Sequence, residues 1–200
     1  MLYYEKKFKN RGYDVIIGVD EVGRGSLAGP VVSAAVNLRE LSFKNRIDDS
    51  KKLTPRQREN AFSEISDKSV FGIGIINAPV IDRLNILVAT RLSMEEAVSA
   101  LVDKLKTPRK RKIHVLIDGN VGINIPHSFT TIIRGDSRSK SIACASILAK
   151  VIRDRIMCLY HRIYPRYGFT AHKGYGTEKH RSAIKKFGPS AIHRITFCSV

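Results

Sequence analysis

The chain has 200 residues, with 35 lysines and arginines against 18 aspartates and glutamates and a formal charge of +17. Hydrophobic content of 43% and charged content of 26% are those of one folded domain, which excludes a disordered or membrane-embedded class. The charge favours polyanions, nucleic acid first and anionic membrane or ribosomal RNA after it, against a bland solubility effect. Cys144, Cys158 and Cys198 lack C-x-x-C spacing, which points to a reducing compartment and away from zinc. Met1 to Asn10 carries no apolar segment of a signal peptide, and no run approaches a membrane span of ~20 residues. A cytoplasmic protein without membrane contact is expected.

In chain order, Val15–Val19 and Val31–Val36 read as strands, and their short connection predicts antiparallel neighbours. Thr54-Pro55 predicts an N-cap with proline at the first helical position, opening a helix to about Ser66. Val70–Ile76 alternates glycine with apolar residues and reads as a third strand over which something packs closely. Pro79 opens a second helix, whose stripe Leu84, Val88, Leu92, Val98, Leu101 and Leu105 ends before Pro108. A basic run, Arg109 to Lys112, follows. Ile113–Ile117 reads as a buried strand ending in Asp118-Gly119, and Phe129–Ile133 as a fifth strand. The clearest helical period is Ile142, Ala145, Ala149, Ile152, Ile156, Leu159 and Ile163, a helix ended by Pro165. His172–Thr177 is a glycine-flanked loop, and Glu178–Phe187 a short helix closed by Gly188-Pro189. The whole predicts an α/β domain with a mixed sheet and a helical C-terminal portion.

The chemistry concentrates in Gly18–Pro30, G-V-D-E-V-G-R-G-S-L-A-G-P. Asp20 and Glu21 stand where the first strand should stop, since neighbours on a continuing strand face opposite ways. Gly23 and Gly25 let a large partner approach the main chain, and Arg24 can reach a phosphate. Asp118 and Asp136 also fall at element ends, although Asp136 could simply be the N-cap of the long helix. Asp48, Asp49 and Asp154 remain open as alternatives, Asp154 with arginine partners on either side. Clustered acids repel and call for hard divalent cations, Mg²⁺ or Mn²⁺, two of which can drive phosphodiester hydrolysis. A non-catalytic nucleic-acid binder and a junction resolvase are the rival readings.

These stretches, with D-D-S-K-K-L, I-D-G, G-D-S-R-S-K-S-I-A-C-A-S-I-L-A-K-V-I-R-D-R, H-K-G-Y-G-T and H-R-I-T-F, resemble bacterial ribonuclease HII from about residue 14 onward. The resemblance implies a ribonuclease H-like fold, with a mixed five-stranded sheet flanked by helices. It implies one domain over 1–200, a catalytic core over about 14–165 and a substrate-contacting C-terminal portion over about 166–200. The implied activity is endonucleolytic cleavage of RNA in RNA–DNA hybrids and at single ribonucleotides in duplex DNA, leaving 5′-phosphate and 3′-hydroxyl ends. Two Mg²⁺ or Mn²⁺ ions would be held by Asp20, Glu21, Asp118 and Asp136. Gly23, Arg24, Gly25 and Tyr175 match the family's ribonucleotide-contacting motifs, and Lys51 is a further candidate for phosphate contact. The family often has proline where this chain has Cys198-Ser199, which leaves contact with a replication clamp open. A monomer is expected.

Overall fold

The computed structural model describes residues 1–105 and 111–198. Five strands, β1 (Val15–Val22), β2 (Val31–Leu38), β3 (Ser69–Ile76), β4 (Ile113–Asp118) and β5 (Ser128–Ile132), form one mixed sheet in the order β3-β2-β1-β4-β5. The β1–β2 and β2–β3 pairs are antiparallel, whereas β1–β4 and β4–β5 are parallel. Helices cover both faces. They are α1 (Tyr3–Asn10), α2 (Pro55–Lys68), α3 (Ala78–Leu84), α4 (Ile86–Leu105), α5 (Lys140–Ile163), α6 (Phe169–His172) and α7 (Glu178–Phe187). Among the described residues no helix is long and apolar enough to cross a membrane.

Alternation along the strands sorts the core into two layers. Ile17, Val19, Val115 and Ile117 pack against Met94, Ala97, Val98 and Leu101 of α4. Ala34 and Val36 face Ala143, Ile147, Leu148 and Val151 of α5, with Ala61 and Ile65 of α2 beside them. The glycines of β3 serve the close approach that their spacing suggested, since a methyl on Gly74 would collide with the Ser93 carbonyl of α4. Thr54 caps α2 as expected and closes a capping box, accepting from Gln57 N at 3.2 Å while Gln57 Oε1 accepts from Thr54 N at 2.8 Å.

Four expectations are corrected. The helix expected from Pro79 is two, broken at Asn85, whose φ of 69° is left-handed and whose side chain accepts from Leu87 N and Val88 N. Of the expected stripe, Val98 and Leu101 are buried in the core, where Ala89, Ser93, Met94 and Ala97 join them, while Leu84, Val88 and Leu92 lie only half-buried. The stripe on α5 holds only to Ala149: Leu159 and Ile163 are 57% and 65% exposed. Past Val151 the helix outruns the sheet, and its buried positions become Arg153 and Met157, which meet the loop after β1 and the C-terminal segment. Residues 3–10 form α1, a helix not expected from so polar a stretch; it docks through Phe8 and through Glu5, whose carboxylate accepts from Ser139 Oγ and Ser141 N. Finally, β1 does not stop at Asp20. It continues to Val22, with Glu21 paired to Ser33 of β2.

Candidate active site

The parallel register aligns Val19 with Ile117, so the next residue on each strand, Asp20 and Asp118, stands at the carboxyl edge of the two central strands. Open α/β sheets place their sites at that edge. Alternation directs both side chains toward α5. Asp136 joins them from a one-turn 3₁₀ segment, Gly135–Ser137, that leads into α5. It is not the helix cap: Ser139 fills that position by accepting from Ile142 N at 3.3 Å. Gly135 N donates to Asp118 Oδ1 at 2.6 Å and ties this turn to β4. Glu21, on the continuing strand, leaves the other way and pairs with Arg24 at 3.4 Å.

Electrostatics identify the cluster more sharply than geometry. Burial, then the charges of Glu21 and Asp118, hold the Asp20 carboxyl well above the usual range, against a lowering hydrogen bond from Ser146. Burial raises Glu21 as well, and the Arg24 guanidinium opposes the shift. Asp136 is raised by burial, by Asp118 and by Asp49, with Lys51 acting against them. Burial alone would lower the Lys51 ammonium, but Asp49, Asp136, Asp20 and Asp118 together raise it. Lys51 therefore stands in the field of the acids, a placement that its loop position did not disclose. Asp49 reaches the same field and caps the Lys51 turn, accepting from Lys51 N at 3.0 Å. The remaining acids are spoken for: Asp48 pairs with Arg46 at 2.6 Å and Lys52 at 3.3 Å, and Asp154 pairs with Lys150 at 2.8 Å rather than with its flanking arginines.

The donor set suits a hard divalent ion, being all carboxylate oxygen with mutually raised affinities for a cation. It is not closed into a ready-made cage. Among the described residues no three His, Cys, Asp or Glu side chains are arranged to hold an ion, because Asp20 accepts from Glu21 N, Asp118 from Gly135 N and Glu21 faces Arg24.

The Gly23–Gly25 loop is fixed from behind by two arginines that sequence reasoning had not singled out. Arg153 and Arg194 are both fully buried, and neither has a carboxylate partner among the described residues. Arg153 donates to the carbonyls of Pro30, Lys173 and Ala28 at 2.9 to 3.1 Å. Arg194 donates to those of Gly29, Arg24 and Gly23 at 2.7 to 3.1 Å. A methyl on Gly23, at φ 99°, would collide with Arg153, whereas one on Gly25 would meet nothing within 4 Å. Packing thus explains the first glycine and leaves the second facing open space.

Tyr175 joins the loop through main-chain pairing. Ser26 bridges Tyr175, Ala28 bridges His193, and Leu27 N donates to Gly174 O at 2.8 Å. Its ring, 37% exposed, lies 5.4 Å from the Arg153 guanidinium. Behind it runs a histidine chain whose tautomers are set by its ends. Ser190 N donates to His193 Nδ1 at 2.9 Å, so His193 Nε2 donates to His180 Nε2 at 3.0 Å and His180 Nδ1 donates to Tyr175 O at 2.9 Å. Burial lowers both imidazoles to about 4. Of the basic run before β4, Arg111 and Lys112 are exposed, and Arg109 and Lys110 lie outside the described residues.

Comparison with known proteins bears directly on this arrangement. The family model for ribonuclease HII matches residues 17–200. Ribonuclease HII of Geobacter sulfurreducens is 48% identical over 198 residues, covering 98% of this chain and 88% of that protein. Two solved structures share the fold: the PCNA:RNase HII complex from Archaeoglobus fulgidus, at TM-score 0.70, 22% identity and coverage of 92% and 94%, and Bst-RNase HIII in complex with Mn²⁺, at TM-score 0.67, 18% identity and coverage of 91% and 66%. A purely binding role falls with the family match. The chain belongs to the ribonuclease HII family and is a metal-dependent endonuclease acting on the RNA strand of RNA–DNA hybrids.

Proposed function

We propose that the protein also incises duplex DNA at single embedded ribonucleotides, with Asp20, Glu21, Asp118 and Asp136 as the ligands of two divalent ions. Bound there, Mg²⁺ or Mn²⁺ would activate the attacking water and stabilise the leaving oxygen, giving 5′-phosphate and 3′-hydroxyl ends. The chain's own residues do the rest. Asp118 and Asp136 are held together through Gly135, so the oxygens of β4 and of the turn before α5 keep a fixed spacing. Arg24 occupies Glu21 until cation and substrate arrive, and then turns to phosphate. Lys51 balances the acids and offers an ammonium to the phosphate beside them.

The observation that carries the single-ribonucleotide reading is the main-chain bridge between Ser26 and Tyr175. It brings the open side of Gly25 and an aromatic ring, far apart in sequence, onto one rigid unit beside Glu21. A 2′-hydroxyl is the mark that such a unit can test, with a backbone close enough to contact it and a ring against the adjoining sugar. The C-terminal portion from about residue 166 supplies that ring, and in this reading it is the substrate-contacting part of one domain. Incubating the protein with a duplex containing one ribonucleotide, in Mg²⁺, Mn²⁺ or EDTA, tests the proposal. Incision at the ribonucleotide with either ion and none in EDTA is expected; cleavage of long hybrids alone would overturn it.

A further inference from the structure

A groove of about 730 Å³ lies between α2 and α5, lined by Arg56, Lys150, Leu159, Arg162 and Lys173 among others. It opens beside Lys150, one helical turn beyond Ser146, whose hydroxyl pairs with that of Ser50 at 3.0 Å just before Lys51. One end is bounded by Pro55, close behind the Lys51 turn, and another by Lys173, two residues before Tyr175. Lys150, in the groove wall, also lies over the Tyr175 ring at 5.8 Å, so the groove reaches the Tyr175 side of the candidate site.

Its charge is not a solvated face neutralised in place. The two acids that line it are engaged, Asp154 with Lys150 at 2.8 Å and Glu59 with Arg155 at 2.5 Å across the helix pair. Arg58 is turned inward and donates to the carbonyls of Ser50 and Leu53, fixing the Lys51 turn. Arg56 and Arg162 are exposed and have no ion-pair partner among the described residues. Between them the wall is apolar, with Leu159 57% exposed and Cys158 beside it, a surface suited to sugar faces between phosphates. From Lys150 to Arg162 α5 advances twelve residue steps, about 18 Å at 1.5 Å per residue, which matches about five base-pair steps along a duplex axis at 3.4 Å.

We propose that this groove carries the sugar–phosphate backbone of the substrate duplex on one side of the cleaved linkage, with Arg56 and Arg162 as its phosphate contacts. The inference rests on the reading of the carboxylates as the cleavage site, and it adds a direction in which the duplex leaves that site. Neither arginine touches the reacting atoms, and both side chains can be shortened without opening the core.

The test compares wild type with Arg56→Ser/Arg162→Ser on labelled duplexes with one ribonucleotide, by fluorescence anisotropy in EDTA and by cleavage in Mg²⁺. One duplex has long flanks, and two others are trimmed to end just outside the cleaved linkage on one side or the other. The double variant should bind the long duplex roughly tenfold more weakly at about 0.15 M salt, with a log–log salt slope shallower by about 2, as for two lost phosphate contacts. The loss should persist with one trimmed duplex and vanish with the other, which names the side. Unchanged affinity and slope, or equal losses on both trimmed duplexes, would overturn the proposal, the latter by showing only diffuse attraction. Failure of wild type to incise would count against the cleavage reading alone, because the binding arm needs no cleavage.

Discussion

Two groups of buried charge flank the loop after β1, and the chain treats them in opposite ways. Behind the loop, Arg153 and Arg194 are saturated by main-chain carbonyls of Gly23, Arg24, Ala28, Gly29, Pro30 and Lys173. In front of it, Asp20, Glu21 and Asp136 are packed near one another and Asp118, with carboxyls pushed upward by burial and like charge. A guanidinium cannot shed its charge readily, so a fold that buries one must supply acceptors. Crowded carboxylates store repulsion that a bound cation or a proton relieves. Buried charge balanced by fixed acceptors marks the scaffold, and like charges crowded together mark the candidate site.

The largest effect should come from the front group. Asp20→Asn or Asp118→Asn should lower cleavage a thousandfold or more, equivalent to about 4 kcal/mol of barrier, while duplex binding without metal holds or tightens as a repulsive charge is removed. Thermal stability should not fall. Near-normal cleavage by either variant in a single-turnover assay would remove that residue from the site.

Breaking the rear group should do the reverse. Arg194→Leu strands the carbonyls of Gly23, Arg24 and Gly29, and at about 1 kcal/mol or more for each unsatisfied group the loss of stability should be roughly 3 kcal/mol. A denaturant melt within error of wild type would show that water replaces the guanidinium at no cost.

Acidity separates the same two regions by sign. Folding raises the pKa values of Asp20, Glu21 and Asp136, so their stabilising contribution is full below the ordinary carboxylate value and is lost as pH rises through the raised values. His180 and His193 are lowered from 6.5 to about 4; their contribution is full above 6.5 and is lost as pH falls toward 4. The metal-free protein should therefore lose the C-terminal histidine chain in acid while its carboxylate end relaxes. In an Asp20→Asn background part of the compensating gain is gone, and the fall in melting temperature from pH 6.5 to 4 should be steeper than in wild type. Parallel curves would disconnect the two regions.

Within the loop itself the comparison narrows to two glycines. Gly23→Ala meets Arg153 at a left-handed backbone and should destabilise the fold, whereas Gly25→Ala enters open space. The second variant should melt with wild type yet cleave single-ribonucleotide duplexes tenfold to a hundredfold more slowly, roughly 1.4 to 3 kcal/mol, if substrate fills that space. Full activity would leave Gly25 without a role.

Local chemistry was legible in the sequence wherever the partner lies a few residues away. Thr54 at the start of α2 and the β-branched strands act within one turn or one strand, whereas the start of α5, expected at Asp136, lies at Ser139. The convergence of Asp20 and Asp118 followed from one assumption, that β1 and β4 are neighbours, and the sheet satisfies it. What stayed hidden depends on partners distant in sequence. Arg153 and Arg194 accept their roles from carbonyls more than a hundred residues away, Lys173 excepted. Glu5 makes α1 part of the fold only by reaching Ser139 and Ser141. Arg153 in particular hides in a run that reads as one polar turn of helix, because burial there is set by the loop laid across α5.

At the residue where the two regions meet, the expected difference is between two substrates. Tyr175 is carried by the rear scaffold, through His180 and the bridge to Ser26, and presents its ring at the front. Arg153 and Lys150 approach the ring at 5.4 and 5.8 Å, so some of its value is structural, as a cation–π lid of about 0.5 to 1 kcal/mol. Stacking against substrate would add about 1 to 3 kcal/mol. Tyr175→Phe retains both contributions and should keep most activity. Tyr175→Ala should lose more on a single ribonucleotide, where one junction must be recognised, than on a long hybrid offering many equivalent linkages. Both variants are to be assayed on both substrates beside a thermal melt. An alanine variant that melts early and loses both activities in proportion would assign the ring wholly to the scaffold, and a phenylalanine variant as poor as alanine would move the recognition from the ring to its hydroxyl.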